Sequence, residues 1–150
     1  MAAANKQLIR RFITEVFDEG GLDSLDRYLT PDFMNHATGA IGIPAYRRVV
    51  EWTRRMQGDD CRNVIDDLLA DDDRVCAFIT IHGRLSNEVE VLGVRLNPDY
   101  RVFSARHAHT FRLAGGKIAE HWAIRDDLTM LRPLGFVISP PPESVSGRSS

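Results

Sequence analysis

Leu8, Ile9, Phe12, Ile13, Val16 and Phe17 recur at i, i+1, i+4, i+5, i+8 and i+9. This broad apolar stripe predicts an amphipathic helix near the N-terminus. Gly20-Gly21 ends it, and Asp23-Ser24 offers a cap for a short second helix. Thr30-Pro31-Asp32 is expected to break the chain ahead of the extended segment Phe33-Met34-Asn35-His36. A third helix is expected from near Pro44, carrying Tyr46, Val49, Val50, Trp52 and Met56. After Gly58 the pattern changes to that of strands. Residues 64–69 and 74–85 flank the acidic turn Asp71-Asp72-Asp73, residues 89–96 form one further strand, and residues 101–113 and 117–126 flank Gly115-Gly116. A short last helix follows, with Asp126 or Asp127 as N-cap and Gly135 as its stop. Helices first and antiparallel strands second predict an α+β fold.

Composition narrows the class. The chain has 150 residues with 43% apolar and 27% charged side chains and a formal net charge of −2, the proportions of one ordinary globular domain. The core is expected within residues 1–138. Pro140-Pro141-Pro142 and the polar residues after them cannot pack, so residues 139–150 are expected to be a disordered tail. The near-neutral charge gives no basic stripe for nucleic acid. No apolar run reaches the length of a membrane span, and the N-terminus lacks a secretory pattern. Cys61 and Cys76 have no paired spacing and are expected as reduced thiols in a cytoplasmic protein.

The candidate chemistry concentrates in the last hairpin. His107 and His109 alternate on one strand and share a face with Phe103, Ala105 and Phe111, while Arg106, Thr110 and Arg112 take the wet or interface side. A three-residue Ala114-Gly115-Gly116 loop would pair Leu113 with Lys117 and set His121 opposite His109 and Ala123 opposite His107. A two-residue Gly-Gly loop would set Trp122 opposite His109 instead, since a one-residue slip exchanges the faces. The three-residue form is the expectation adopted.

Gly116-Lys117-Ile118-Ala119-Glu120-His121-Trp122, with Asp126-Asp127-Leu128 and Leu131-Arg132-Pro133-Leu134-Gly135, resembles the C-terminal signature of SnoaL-like polyketide cyclases. The helical start, the segment from Thr30 to His36 and the strand around Gly83 fit as well, so the resemblance covers roughly residues 5–136. It is weakest between residues 86 and 97. It implies a cone-shaped barrel of the nuclear transport factor 2 type, a curved antiparallel sheet wrapped around N-terminal helices with a central pocket. It also implies intramolecular aldol cyclisation without metal or organic cofactor, on a small hydrophobic oxygenated substrate, in a homodimer. The family's asparagine falls on Asn35, its histidine on His109, and a substrate-touching position on Phe17. Its acid/base aspartate falls on Ala123, which can neither take nor give a proton. The shared pocket face of that histidine and that carboxylate is a further reason for the three-residue loop.

His109 and His121 are therefore the expected acid/base pair, with Asp126 as a candidate replacement carboxylate that could equally cap the last helix. Such a pair should titrate in the imidazole range. Asn35, Phe17, His107 and Trp122 are the candidate substrate contacts; Trp122 could equally be core or interface. A dehydration or isomerisation would use the same apparatus. Two other readings stay open: a non-catalytic pocket for a hydrophobic ligand, which the loss at Ala123 would fit, and zinc held by the three hairpin imidazoles.

Overall fold

The structure, a computed structural model, describes residues 1–140. From residue 141 onward the expected tail lies outside the described residues. Helix α1 (Ala2–Phe12) buries Ile9 and Phe12 and continues as a π-helical stretch, Ile13–Asp18, that buries Ile13 and Val16. The predicted stripe is thus one continuous face. A single 3-10 turn (Leu22–Ser24) leads into α2 (Leu25–Tyr28). Ser24 does not cap it with its side chain; the hydroxyl donates to the Gly21 carbonyl at 2.6 Å. Helix α3 (Ile43–Gln57) has Pro44 in its first turn, where a missing N–H costs nothing. It buries Tyr46, Val50 and Met56 and leaves Trp52 exposed.

The strands are β1 (Leu29–Asn35), β2 (Ala40–Ile41), β3 (Arg62–Asp71), β4 (Arg74–Arg84), β5 (Val89–Val91), β6 (Val94–Leu96), β7 (Val102–Ala114) and β8 (Lys117–Arg125). Six form a curved sheet in the order β2-β1-β8-β7-β4-β3, open at both edges among the described residues. Helices α1 and α3 pack on its inner face around Phe12, Phe33, Tyr46, Ile79 and Phe111. A second cluster, Met56, Leu85, Val89, Phe103 and Leu134, closes the other end beneath α4 (Asp127–Leu131). This is the α+β architecture expected.

Two predicted segments differ. Thr30-Pro31-Asp32 does not break the chain; it lies inside β1, which runs parallel to β8 and makes the sheet mixed rather than wholly antiparallel. The register jumps from Leu29↔Ile118 to Met34↔Glu120, so the ladder skips the stretch containing Pro31, whose nitrogen has no hydrogen to offer. Residues 89–96 are two strands, because Leu92 and Gly93 both adopt positive φ (51° and 75°) and turn the chain back. Leucine gives no sequence signal for that conformation.

Strand β4 carries a tight spot that fixes the distance between the sheet and α3. A Cβ on Gly83 would lie 2.3 Å from Phe103 Cζ and 2.9 Å from the Gln57 carbonyl oxygen. Gly83→Ala should therefore cost about 1–3 kcal/mol of stability through overpacking. In thermal unfolding this reads as a Tm lowered by about 2–4 °C per kcal/mol. An unchanged Tm would mean that Phe103 turns aside freely.

Candidate functional site

On β7, Phe103, Ala105, Phe111 and Leu113 are buried on the same face as His107 and His109. On β8, Ile118 and His121 are buried, and Ala123 shares their side. The turn that joins the strands is the two-residue Gly115-Gly116 form, with φ of 57° and 76° and Ala114 paired with Lys117. The expected three-residue loop is therefore not present. A bulge restores the inward facing: Leu113 pairs with Ile118 and Arg112 with Glu120, leaving Ala119 as the extra residue. Ala123 consequently lies directly opposite His109, Arg125 opposite His107, and His121 opposite Phe111. His109 and His121 meet on the diagonal rather than as a direct pair.

The imidazoles form a hydrogen-bonded line. His107 Nδ1 is 3.3 Å from His109 Nε2, His109 Nδ1 is 2.8 Å from His121 Nε2, and His121 Nδ1 is 3.1 Å from Asn35 Oδ1. The rings of His109 and His121 are within 8° of parallel, with Phe111 lying against both. Asn35 reaches the line because β1 pairs with β8 in the register Asn35↔His121, and it is 1% exposed. Its neighbour His36 takes the outer face and bonds Glu120 at 2.7 Å.

Burial governs the charge state. It pushes His107 down to about 4, with Arg125 adding to the shift and Asp127 and Asp126 opposing it. It pushes His121 down to about 4, helped by His36. His109 is held well below the imidazole range, first by burial and then by His121, His107 and Arg125. All three are neutral at pH 7, so bases are present without any titration near neutrality.

The line borders an inner cavity of about 90 Å³, whose wall includes Phe17, Asn35, Tyr46, Phe111, Ala123 and all three histidines. An outer cavity of about 320 Å³ lies among Trp52, Met56, Val91, Phe103, Ala105 and Leu131. Thr53, Gln57, Ile81, His107 and Arg125 border both, so the two cavities lie side by side. Phe17 enters the inner wall from the π-helical stretch. Its backbone carbonyl, in the last turn of the helix where no following N–H reaches it, accepts from the Arg54 guanidinium of α3.

Asn35, Phe17, His107, His109 and His121 are thus brought together. Asp126 is not: its carboxylate caps α4, accepting from Thr129 N at 3.1 Å and Thr129 Oγ1 at 2.6 Å. Trp122 is not either. The alternation of β8 puts it on the outer face, parallel to His36 with ring centroids 4.5 Å apart and the Arg74 guanidinium over its ring. Among the described residues no three His, Cys, Asp or Glu side chains are arranged to hold a metal ion; the imidazoles bond one another. Sequence reasoning missed Thr53, Gln57 and Arg125. Thr53 and Gln57 lie one helical turn apart on α3, yet polar residues at that spacing look like a solvated face until the sheet covers them.

The sequence profile of the SnoaL-like polyketide cyclases matches residues 7–134. The nogalonic acid methyl ester cyclase of Streptomyces nogalater is 29% identical over 129 residues, covering 82% of this chain and 92% of that protein. Among solved structures, TsrD from Streptomyces laurentii is 28% identical with a TM-score of 0.74, covering 89% of this chain and 96% of its own. IdmH from Streptomyces antibioticus is 26% identical with a TM-score of 0.71, covering 88% and 99%. With these neighbours, the helix-and-curved-sheet fold and the profile match spanning both, the chain belongs to the SnoaL-like polyketide cyclase family.

Proposed function

We propose that this chain is a cofactor-independent acid/base enzyme that cyclises a hydrophobic, oxygenated polyketide-type ester by intramolecular aldol addition. A dehydration or isomerisation is the nearest variant of the same chemistry. The observation that carries the reading is the line from Asn35 through His121 and His109 to His107, set in the wall of a cavity that Phe17, Phe111, Ile79 and Ile81 make largely apolar. A neutral imidazole removes a proton from the carbon beside a carbonyl. The enolate carbon then attacks a second carbonyl of the same molecule, and the alkoxide formed takes the proton back. The histidine cluster centred on His109 and His121 stands in for the carboxylate that Ala123 lacks. Phe17 and the walls of both cavities are proposed to hold the carbon skeleton, since the smaller cavity alone has about 90 Å³. A substrate held by both buries its apolar surface in the outer chamber and presents its acidic carbon to the line.

The second reading is a pocket that binds a hydrophobic ligand without turning it over. Ala123, directly opposite His109, favours it, since the family's proton-handling position is empty of any titratable group. The protein is further proposed to act in the cytoplasm as a homodimer through the outer face of the sheet, where Phe78 and Ile124 are exposed. No described helix is long and apolar enough to cross a membrane.

Nogalonic acid methyl ester, the compound in the name of the Streptomyces nogalater relative, is the first substrate to supply. Intramolecular aldol addition gains and loses no atoms, so the product should elute separately with unchanged mass in chromatography with mass detection. His109→Ala, which breaks the line in the middle, should lower kcat/KM by about 10²–10⁴-fold if the line performs general acid–base catalysis. Absence of product from the wild type, with saturable binding of the ester, favours the binding reading.

The pH profile provides a separate check. A base whose folded pKa is depressed stays neutral, and active, from neutrality down to that pKa, and is lost only below it. Activity should therefore be level between pH 8 and roughly 5 and fall with a midpoint at about 4, below the usual imidazole range expected from sequence. An acid limb near the unperturbed histidine value of about 6.5 would contradict the buried, neutral cluster.

A further inference from the structure

The line of imidazoles has a direction. Asn35 Oδ1 accepts the Ala37 backbone N–H at 3.1 Å, and a flipped amide would set its NH2 group against that donor. The oxygen therefore also faces His121, and His121 Nδ1 carries the hydrogen that it accepts. A neutral imidazole has one N–H, so His121 Nε2 is a lone pair and accepts from His109 Nδ1–H at 2.8 Å. By the same count, His109 Nε2 accepts from His107 Nδ1–H at 3.3 Å. Every nitrogen of His109 and His121 is then engaged within the line. One lone pair remains, on His107 Nε2, and it is buried without a hydrogen-bond partner. Leaving a buried acceptor unpaired costs about 1–3 kcal/mol, and this is the one ring nitrogen of the line not engaged within it. His107 borders both cavities, and so does Gln57, whose Oε1 is likewise buried and unpartnered.

Building on the acid/base reading above, we propose that His107 Nε2 is the atom that takes the substrate proton, and that Asn35, acting through His121 and His109, positions it in the form able to do so. Asn35, His121 and His109 are positioning residues in this arrangement; His107 is the catalytic base. The proton leaves the carbon for His107 Nε2, and the C–H pair stays on the substrate as the enolate. His107 Nδ1–H can then pass to His109 Nε2 while His109 Nδ1–H passes to His121 Nε2. The positive charge so moves two rings inward, and the Nδ1–H of His121 remains bonded to Asn35. After carbon–carbon bond formation the shifts reverse, and His107 Nε2–H protonates the alkoxide. A ligand that reaches from one cavity toward the other runs along the His107 side chain, which lines both. The unpaired oxygen of Gln57, which lines the same two cavities, suits a hydroxyl group on that ligand, as a phenolic or enolic polyketide carries.

The test is the protonation site of each imidazole in the full-length protein labelled with ¹⁵N-histidine, read by long-range ¹H–¹⁵N correlation at pH 7 without any ligand. The expected result is Nδ1–H and unprotonated Nε2 for His107, His109 and His121 alike. A proton on Nε2 of His107 or His109 overturns the proposal. In Asn35→Leu, which removes the acceptor that fixes the direction, Nε2–H forms should appear at His107; an unmixed Nδ1–H pattern there overturns the role of Asn35. With nogalonic acid methyl ester as probe, His107→Phe should lower kcat at least about 100-fold while His109 and His121 keep their wild-type protonation sites. Retained kcat overturns His107 as the base. The spectra need no substrate, so a wild type that shows the expected tautomers but no turnover sinks the enzymatic reading and leaves the polarity of the line standing.

Discussion

An amide oxygen and three imidazoles can be buried in an apolar sheet face only if their donors and acceptors alternate along the line. The rest of the structure is arranged around that constraint. Asn35 sits at the closed end because β1 enters the sheet parallel to β8 in the register Asn35↔His121, and the Ala37 backbone N–H holds the amide oxygen in place. Two of the three rings then have both nitrogens paired. Each group left unmatched in such a site would cost about 1–3 kcal/mol, a large share of the stability of a domain this size. Within the line the mismatch retained is at His107, which borders both cavities together with Gln57, whose Oε1 is likewise unpartnered.

The same burial sets the chemistry. A carboxylate on the last strand would bring a fixed negative charge into the pocket and hold a neighbouring imidazole in its charged form. Ala123 brings none, and desolvation drives the histidines neutral instead. A neutral cluster is a weak base in the resting state. It gains strength where an enolate forms close by, because opposite charges in a water-poor cavity attract far more strongly than in solution. If the cluster acts as proposed, enolate and imidazolium are charged together within one water-poor site, whichever ring of the line carries the added proton.

The outer face of the same hairpin follows different rules. Trp122, His36, Glu120 and Arg112 form a half-buried network of ring contact and ion pairing on the outer face of the sheet. Their arrangement reflects strict alternation along β7 and β8, which sends every second side chain away from the pocket.

The sequence by itself determined the element types, the α+β order and the family. Apolar periodicity and the residues from Gly116 to Gly135 are local signals, and burial of a helix face or strand face follows from them directly. It also brought Asn35, Phe17, His107, His109 and His121 into view as one group. Tertiary structure decided the rest. The Gly115-Gly116 turn is shorter than the sequence reading chose, and the facing of His121 survives only through the bulge at Ala119, a pairing irregularity that no residue type announces. The parallel docking of β1, with Pro31 in the gap of its ladder, needed a partner strand nearly ninety positions away to become visible. Asp126 became a helix cap and Trp122 an outward ring because register, not composition, assigns a face. Gln57, Thr53 and Arg125 entered the site only when helix α3 was laid across the sheet, since long-range packing alone determines which polar residue is buried.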